Sequence, residues 1–87
     1  MAQEPEGTEE TLDLRGLKCP LPALFARRAL EKAPPGARLA VLTDDPMASI
    51  DVPHMCRQEG YEVVSLDKDA ACARMVLARP AYLDRRS

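Results

Sequence analysis

The sequence predicts a two-layer α/β sandwich in the order β-α-β-α-β-β, a mixed four-stranded sheet with two helices on one face. Three observations lead there. Two segments place apolar residues at helical spacing and end on Gly or Pro-Gly. Four short segments bounded by breakers read as strands. The chain has 87 residues, which suits one domain around one core.

Residues 1–10 read as a disordered acidic arm, with Glu4, Glu6, Glu9 and Glu10 and little to bury. Thr11 to Leu17 is the first strand, with Leu12 and Leu14 on one face, and Gly16 makes a turn. From Pro20 to Lys32 the pattern is helical: Pro22, Phe25, Ala26, Ala29, Leu30 and Ala33 form the apolar stripe. Arg27, Arg28, Glu31 and Lys32 lie on or near the opposite face, and late basic residues suit the negative end of the helix dipole. Pro34, Pro35 and Gly36 stop this helix.

Arg38 to Thr43 is a short apolar strand. Asp44-Asp45-Pro46 and then Asp51-Val52-Pro53 each give a cap-and-start signal. They predict a short turn over 46–50 and a helix over 52–59, ended by Gly60. Tyr61 to Leu66 is the third strand, residues 67–70 a turn, and Cys72 to Ala78 the fourth strand of a hairpin. The helix between the first two strands makes them parallel through a right-handed crossover. The domain spans 11–79, followed by a flexible tail over 80–87.

Composition removes several function classes. The net charge is -2, and the aromatics are Phe25, Tyr61 and Tyr82 with no Trp. Neither phosphate attraction nor base stacking is provided for, so direct nucleic-acid binding is not expected. No apolar run approaches the roughly 20 residues of a membrane span. The acidic start lacks the basic, then apolar, pattern of a secretory signal, so a cytoplasmic protein is expected. Cys19, Cys56 and Cys72 form no C-x-x-C pair. That fits neither a disulfide framework nor a zinc site, and no metal is expected.

Cys19 is the candidate reactive group. A lone cysteine is commonly a small buried hydrophobe. This one stands in Gly16-Leu17-Lys18-Cys19-Pro20-Leu21-Pro22, at the mouth of an amphipathic helix. Unpaired N–H groups and the dipole there favour a thiolate and should lower its pKa. Lys18 and Arg15 add positive potential. Pro20 and Pro22 fit the first turn and leave the N–H groups of Cys19 and Leu21 as the free donors near sulfur. Pro22 occupies the place of a second cysteine, which excludes thioredoxin-type internal exchange.

Leu12 through Pro22, with C-P-x-P at its end, resembles the signature of the TusA/SirA-like sulfur carriers, and Asp44-Asp45-Pro46 with Asp51-Val52-Pro53 resembles their second landmark. The resemblance covers residues 11 to 78 and implies the same fold. It implies that Cys19 carries a persulfide and needs no other cofactor. A cysteine desulfurase or rhodanese would supply the sulfur, and a downstream protein would accept it. Members serve tRNA thiolation, molybdenum-cofactor assembly and sulfur oxidation. Gly16, Pro20 and Pro22 would support the motif. Arg15, Lys18, Arg27 and Asp45 are candidate partner contacts on a chain that is monomeric when free. The reading is of a carrier with no second catalytic group, not a turnover enzyme.

Other readings stand beside it. One is a thiol redox sensor or regulatory interaction module, with Cys56 or Cys72 resolving Cys19; another is a selenium-handling relative. Cys56 reads as helix packing, Cys72 as a strand start and His54 as a surface residue. Asp44 and Asp45 most simply cap a helix, or form the lip of a site. Lys18, Arg27, Arg28 and Lys32 form a solvated face that could also steer an acidic partner.

Overall fold

A short apolar run with Val41 and Thr43 makes β2 (Arg38–Thr43) a buried strand at the heart of the sheet. The computed structural model describes residues 9–80. On one side of β2 lies β1 (Glu9–Asp13), parallel to it, with Leu12 opposite Val41. On the other lies β4 (Ala73–Ala78), antiparallel, with Leu39 opposite Leu77 and Val41 opposite Met75. The outer strand β3 (Glu62–Lys68) pairs antiparallel with β4, giving the order β1-β2-β4-β3.

The pleat turns Leu39, Val41, Met75 and Leu77 toward one face. There α1 (Leu21–Lys32) contributes Ala26 and Leu30, and α2 (Ala48–Glu59) contributes Ala48, Val52, Met55 and Cys56. The expected two-layer sandwich is therefore the fold, with both helices on one face. No described helix is long and apolar enough to cross a membrane.

Four local expectations are corrected. Strand β1 begins at Glu9, so Glu9 and Glu10 belong to the sheet and not to a disordered arm. Backbone pairing needs no apolar side chain, and Glu9 also meets Arg74 at 3.3 Å. Residues 1–8 and 81–87 of the expected arm and tail lie outside the described residues. Next, α2 is continuous from Ala48, with Pro53 inside it. Pro53 has no N–H for the Ser49 carbonyl, a loss of the kind that normally ends a helix. Burial of Ala48, Val52, Met55 and Cys56 on one stripe outweighs it.

The third correction concerns Phe25, which is 39% exposed, while the buried stripe of α1 is Pro22, Ala26 and Leu30. Last, β3 runs on to Lys68, and Cys72 lies in the turn. Asp69 closes that turn, its carboxylate accepting from Ala71 N–H at 2.8 Å and Cys72 N–H at 2.9 Å.

Helix α1 ends against a cation from far along the chain. Arg79 Nη1 donates to the carbonyls of Glu31 at 3.0 Å and Ala33 at 2.7 Å. Those carbonyls have no partner within the helix, and they carry its negative pole. The segment after β4 is thereby tied to α1, and Arg79 N–H bonds Ala37 O at 2.9 Å.

Two stability predictions follow from this packing. Leu77 is fully buried between β2 and the helices, so Leu77→Ala should cost about 2–5 kcal/mol in urea unfolding, a large part of a small domain's stability. Arg79→Ala leaves the α1 carbonyls without their charged donor and should cost about 1–3 kcal/mol in the same experiment. Ile50→Ala is the control: at 61% exposure it should move stability by no more than about 0.5 kcal/mol.

Candidate functional site

Parallel pairing of β1 and β2 puts the loops that follow them at the same end of the sheet. The first loop runs over 14–20 and the second over 44–47. Loops after parallel strands gather at one edge in this way, and ligand sites form there. The two sequence landmarks are thus neighbours in space.

The first loop leaves β1 as a tight turn. Leu14 N–H still bonds Leu42 O at 2.8 Å, and Leu17 N–H returns to Leu14 O at 3.2 Å. Gly16 has φ 92°, a conformation that a side chain would strain although the space is open. Its N–H donates to Asp44 Oδ1 at 3.0 Å.

Asp45 fastens the rest. One oxygen accepts Cys19 N–H at 2.5 Å, and the other accepts Met47 N–H at 3.1 Å. Its own N–H donates to Thr43 Oγ1 at 3.2 Å. The side chain is buried. The N–H groups of Cys19 and Met47 hold its carboxyl below the usual range, helped by the Lys18 charge and opposed by burial. Asp45 therefore faces inward as a strut and is not an exposed partner contact.

Pro20 precedes α1, follows a cis peptide from Cys19 and is exposed. Pro22 is fully buried and packs as part of the core. The expectation of two free N–H donors around the sulfur is not met. Cys19 N–H goes to Asp45, and Leu21 N–H goes to Lys18 O at 2.9 Å.

Cys19 is exposed, and its Sγ–H donates to Asp51 Oδ2. That hydrogen bond raises the thiol pKa, followed by desolvation and the negative charges of Asp51 and Asp45. The lowered pKa expected from the helix start is thus corrected. The helix donors near sulfur are occupied, and two carboxylates stand where positive potential was expected. Asp51 is also a second ionisable group at the sulfur, which the sequence reading left out. Its signal was the Asp51-Val52-Pro53 landmark, but only a continuous α2 carries it to Cys19.

Among the described residues the remaining candidates make no hydrogen bond to the sulfur. Arg15 grips Asp13 with Nε and Nη2 at 2.8 and 2.7 Å, which holds Asp13 at a pKa of about 2 and raises that of Arg15. Arg27 pairs with Glu31 at 3.7 Å. Lys18 is exposed beside Cys19, and His54 is exposed on α2. Cys56 is buried in the core, and burial pushes its thiol up to about 11. Cys72 is half-buried beside a hollow of about 140 Å³ that it lines with Asp44, Asp45 and Ser49. No group of side chains suited to a metal ion occurs among the described residues.

Two comparisons with known proteins bear on this chain. Residues 10–78 match the family described as Sulfurtransferase TusA. The fold is also similar to the crystal structure of a SirA-like protein from Desulfitobacterium hafniense, with a TM-score of 0.70 and 28% identity. That match covers 82% of this chain and 97% of the other.

The Asp45 strut yields a pH prediction. Its folded pKa lies below its unfolded value, so its contribution is complete above the ordinary carboxylate pKa of about 3.9 and is lost as pH falls through the folded value. Asp45→Ala should lower the thermal midpoint at pH 7. The deficit relative to the native chain should shrink as the pH is taken below about 4.

Proposed function

The chain belongs to the TusA sulfurtransferase family, and on that premise we propose that it carries sulfur as a persulfide on Cys19. The family role is transfer of sulfur between a donor and an acceptor protein. The observation that carries the assignment to Cys19 is its position. It is an exposed thiol in the C-P-x-P motif, presented on the two loops at the end of the parallel strands.

Loading requires the Cys19 sulfur to attack the outer sulfur of a donor persulfide. A new S–S bond forms at Sγ, the donor's own S–S bond breaks, and the donor leaves as a thiol. Unloading repeats the exchange with an acceptor thiol. No oxidant, metal or separate cofactor enters either step. A cysteine desulfurase or a rhodanese is the donor class with suitable chemistry. The acceptor serves tRNA thiolation, molybdenum-cofactor assembly or sulfur oxidation.

Partner docking fits the rim of the site. Leu21, Leu24, Met47 and Ile50 are exposed apolar residues at the starts of α1 and α2, and Lys18 adds a cation beside the thiol. A carrier must show its sulfur to two partners in turn, and an open apolar rim permits both. Three free thiols suit a reducing, cytoplasmic setting. Of the two resolving thiols a redox sensor could use, Cys56 is sealed in the core and its raised pKa makes it a poor one, which leaves Cys72 as the candidate for that reading.

Incubation with a cysteine desulfurase and cysteine, followed by intact-mass measurement, should show one added sulfur atom. Cys19→Ser should remain unmodified, while Cys72→Ser should load as the native chain does. Uptake by Cys19→Ser, or none by the native protein, defeats the assignment.

A further inference from the structure

The Asp51 carboxylate sits in the first turn of α2, half-buried, and receives the Cys19 Sγ–H. We infer that Asp51 is the proton acceptor when Cys19 takes up sulfur and the proton donor when Cys19 gives it up. The inference rests on the persulfide-carrier reading and adds a catalytic group to it.

Other groups around the sulfur are committed elsewhere. Both oxygens of Asp45 are taken by backbone N–H groups. Asp44 holds Gly16 N–H, and Arg15 is locked to Asp13. Lys18 is a cation and has no proton vacancy to offer. Asp51 touches the reacting atom itself, and a helix N-terminus is a favourable place to keep a carboxylate ready.

The step balances without a further reagent. Asp51 takes the proton from Cys19 Sγ, and the freed electron pair of Sγ attacks the outer sulfur of a donor R–S–SH. The S–S bond of the donor breaks, and its electrons leave on R–S⁻. Asp51 then returns the proton to R–S⁻. The products are Cys19–S–SH and R–SH, with no net oxidation. In unloading, Asp51 takes the proton of the acceptor thiol and delivers it to Cys19 Sγ as that sulfur leaves.

This arrangement gives the carboxylate two opposite effects. At rest it keeps the proton on sulfur, which restrains reaction with small electrophiles. During transfer it removes that proton where the donor sulfur is in place. A pure electrostatic brake would do only the first.

Asp51→Asn separates the two. The charge still acting on the sulfur is then Asp45 from the loop before α2, while Asp44 holds Gly16 N–H, Arg15 holds Asp13, and Lys18 is the exposed neighbour of Cys19 in the chain. Loss of the Asp51 charge should move the pH midpoint of iodoacetamide alkylation downward. The rate at pH 7 should rise about threefold for each unit of that shift, since a larger thiolate fraction outweighs weaker nucleophilicity. Sulfur uptake from inorganic polysulfide, followed by mass, should instead slow by about a hundredfold or more, the low end of general-base effects. Asp51→Glu, which keeps a carboxylate, should recover at least part of the uptake rate.

The inference is overturned if Asp51→Asn loads sulfur as fast as the native chain, or faster. It is also overturned if slow loading is not recovered at all in Asp51→Glu. A native protein that loads no sulfur defeats the carrier reading itself, which is a different result from native loading that ignores Asp51.

Discussion

The Asp45 carboxylate joins two loops that lie 26 positions apart in the chain, accepting Cys19 N–H on one oxygen and Met47 N–H on the other. Parallel pairing of β1 and β2 brings those loops to the same edge, but pairing alone would leave them independent. The carboxylate converts proximity into a fixed geometry, because charge-assisted bonds to N–H groups are short and directional. The thiol and the start of α2 are held by the same side chain. Asp51, one turn further along α2, then falls within reach of the sulfur.

That geometry changes what kind of thiol Cys19 is. A cysteine at a helix mouth is expected to ionise easily. Here the first turn of α1 contains Pro22, and the nearest N–H groups already have acceptors. Two carboxylates set the local potential and the thiol keeps its proton. For a carrier this has a use. A thiol that stays protonated between encounters resists stray electrophiles, and its reactivity can be released at the moment of transfer. A carrier needs selective reactivity more than high reactivity, since partners provide the rest of the chemistry.

Some of this could be read from residues in order. The apolar spacing around Ala26 and Leu30 located α1, and the breakers at Pro34 to Gly36 ended it. The Arg38 to Thr43 run gave β2 at its observed bounds. Cys19, with the prolines after it, was legible because the motif is contiguous. Asp51 as the thiol's partner was not, because Pro53 broke the local helical signal between the landmarks. Likewise Glu9 and Glu10 looked unstructured, since a parallel backbone ladder leaves no mark in side-chain polarity. Arg79 capping α1 joins positions 46 and 48 apart, a distance over which no local pattern operates.

The sequence by itself determined the fold class, the family resemblance and which cysteine stands apart, because these rest on periodicity, breakers and contiguous motifs. The tertiary structure alone decided the strand order, the inward role of Asp45 and the sign of the Cys19 pKa shift. The last depends on which charges approach the sulfur through space. Asp51 lies 32 positions from Cys19, and electrostatics responds to distance in space, not to separation along the chain.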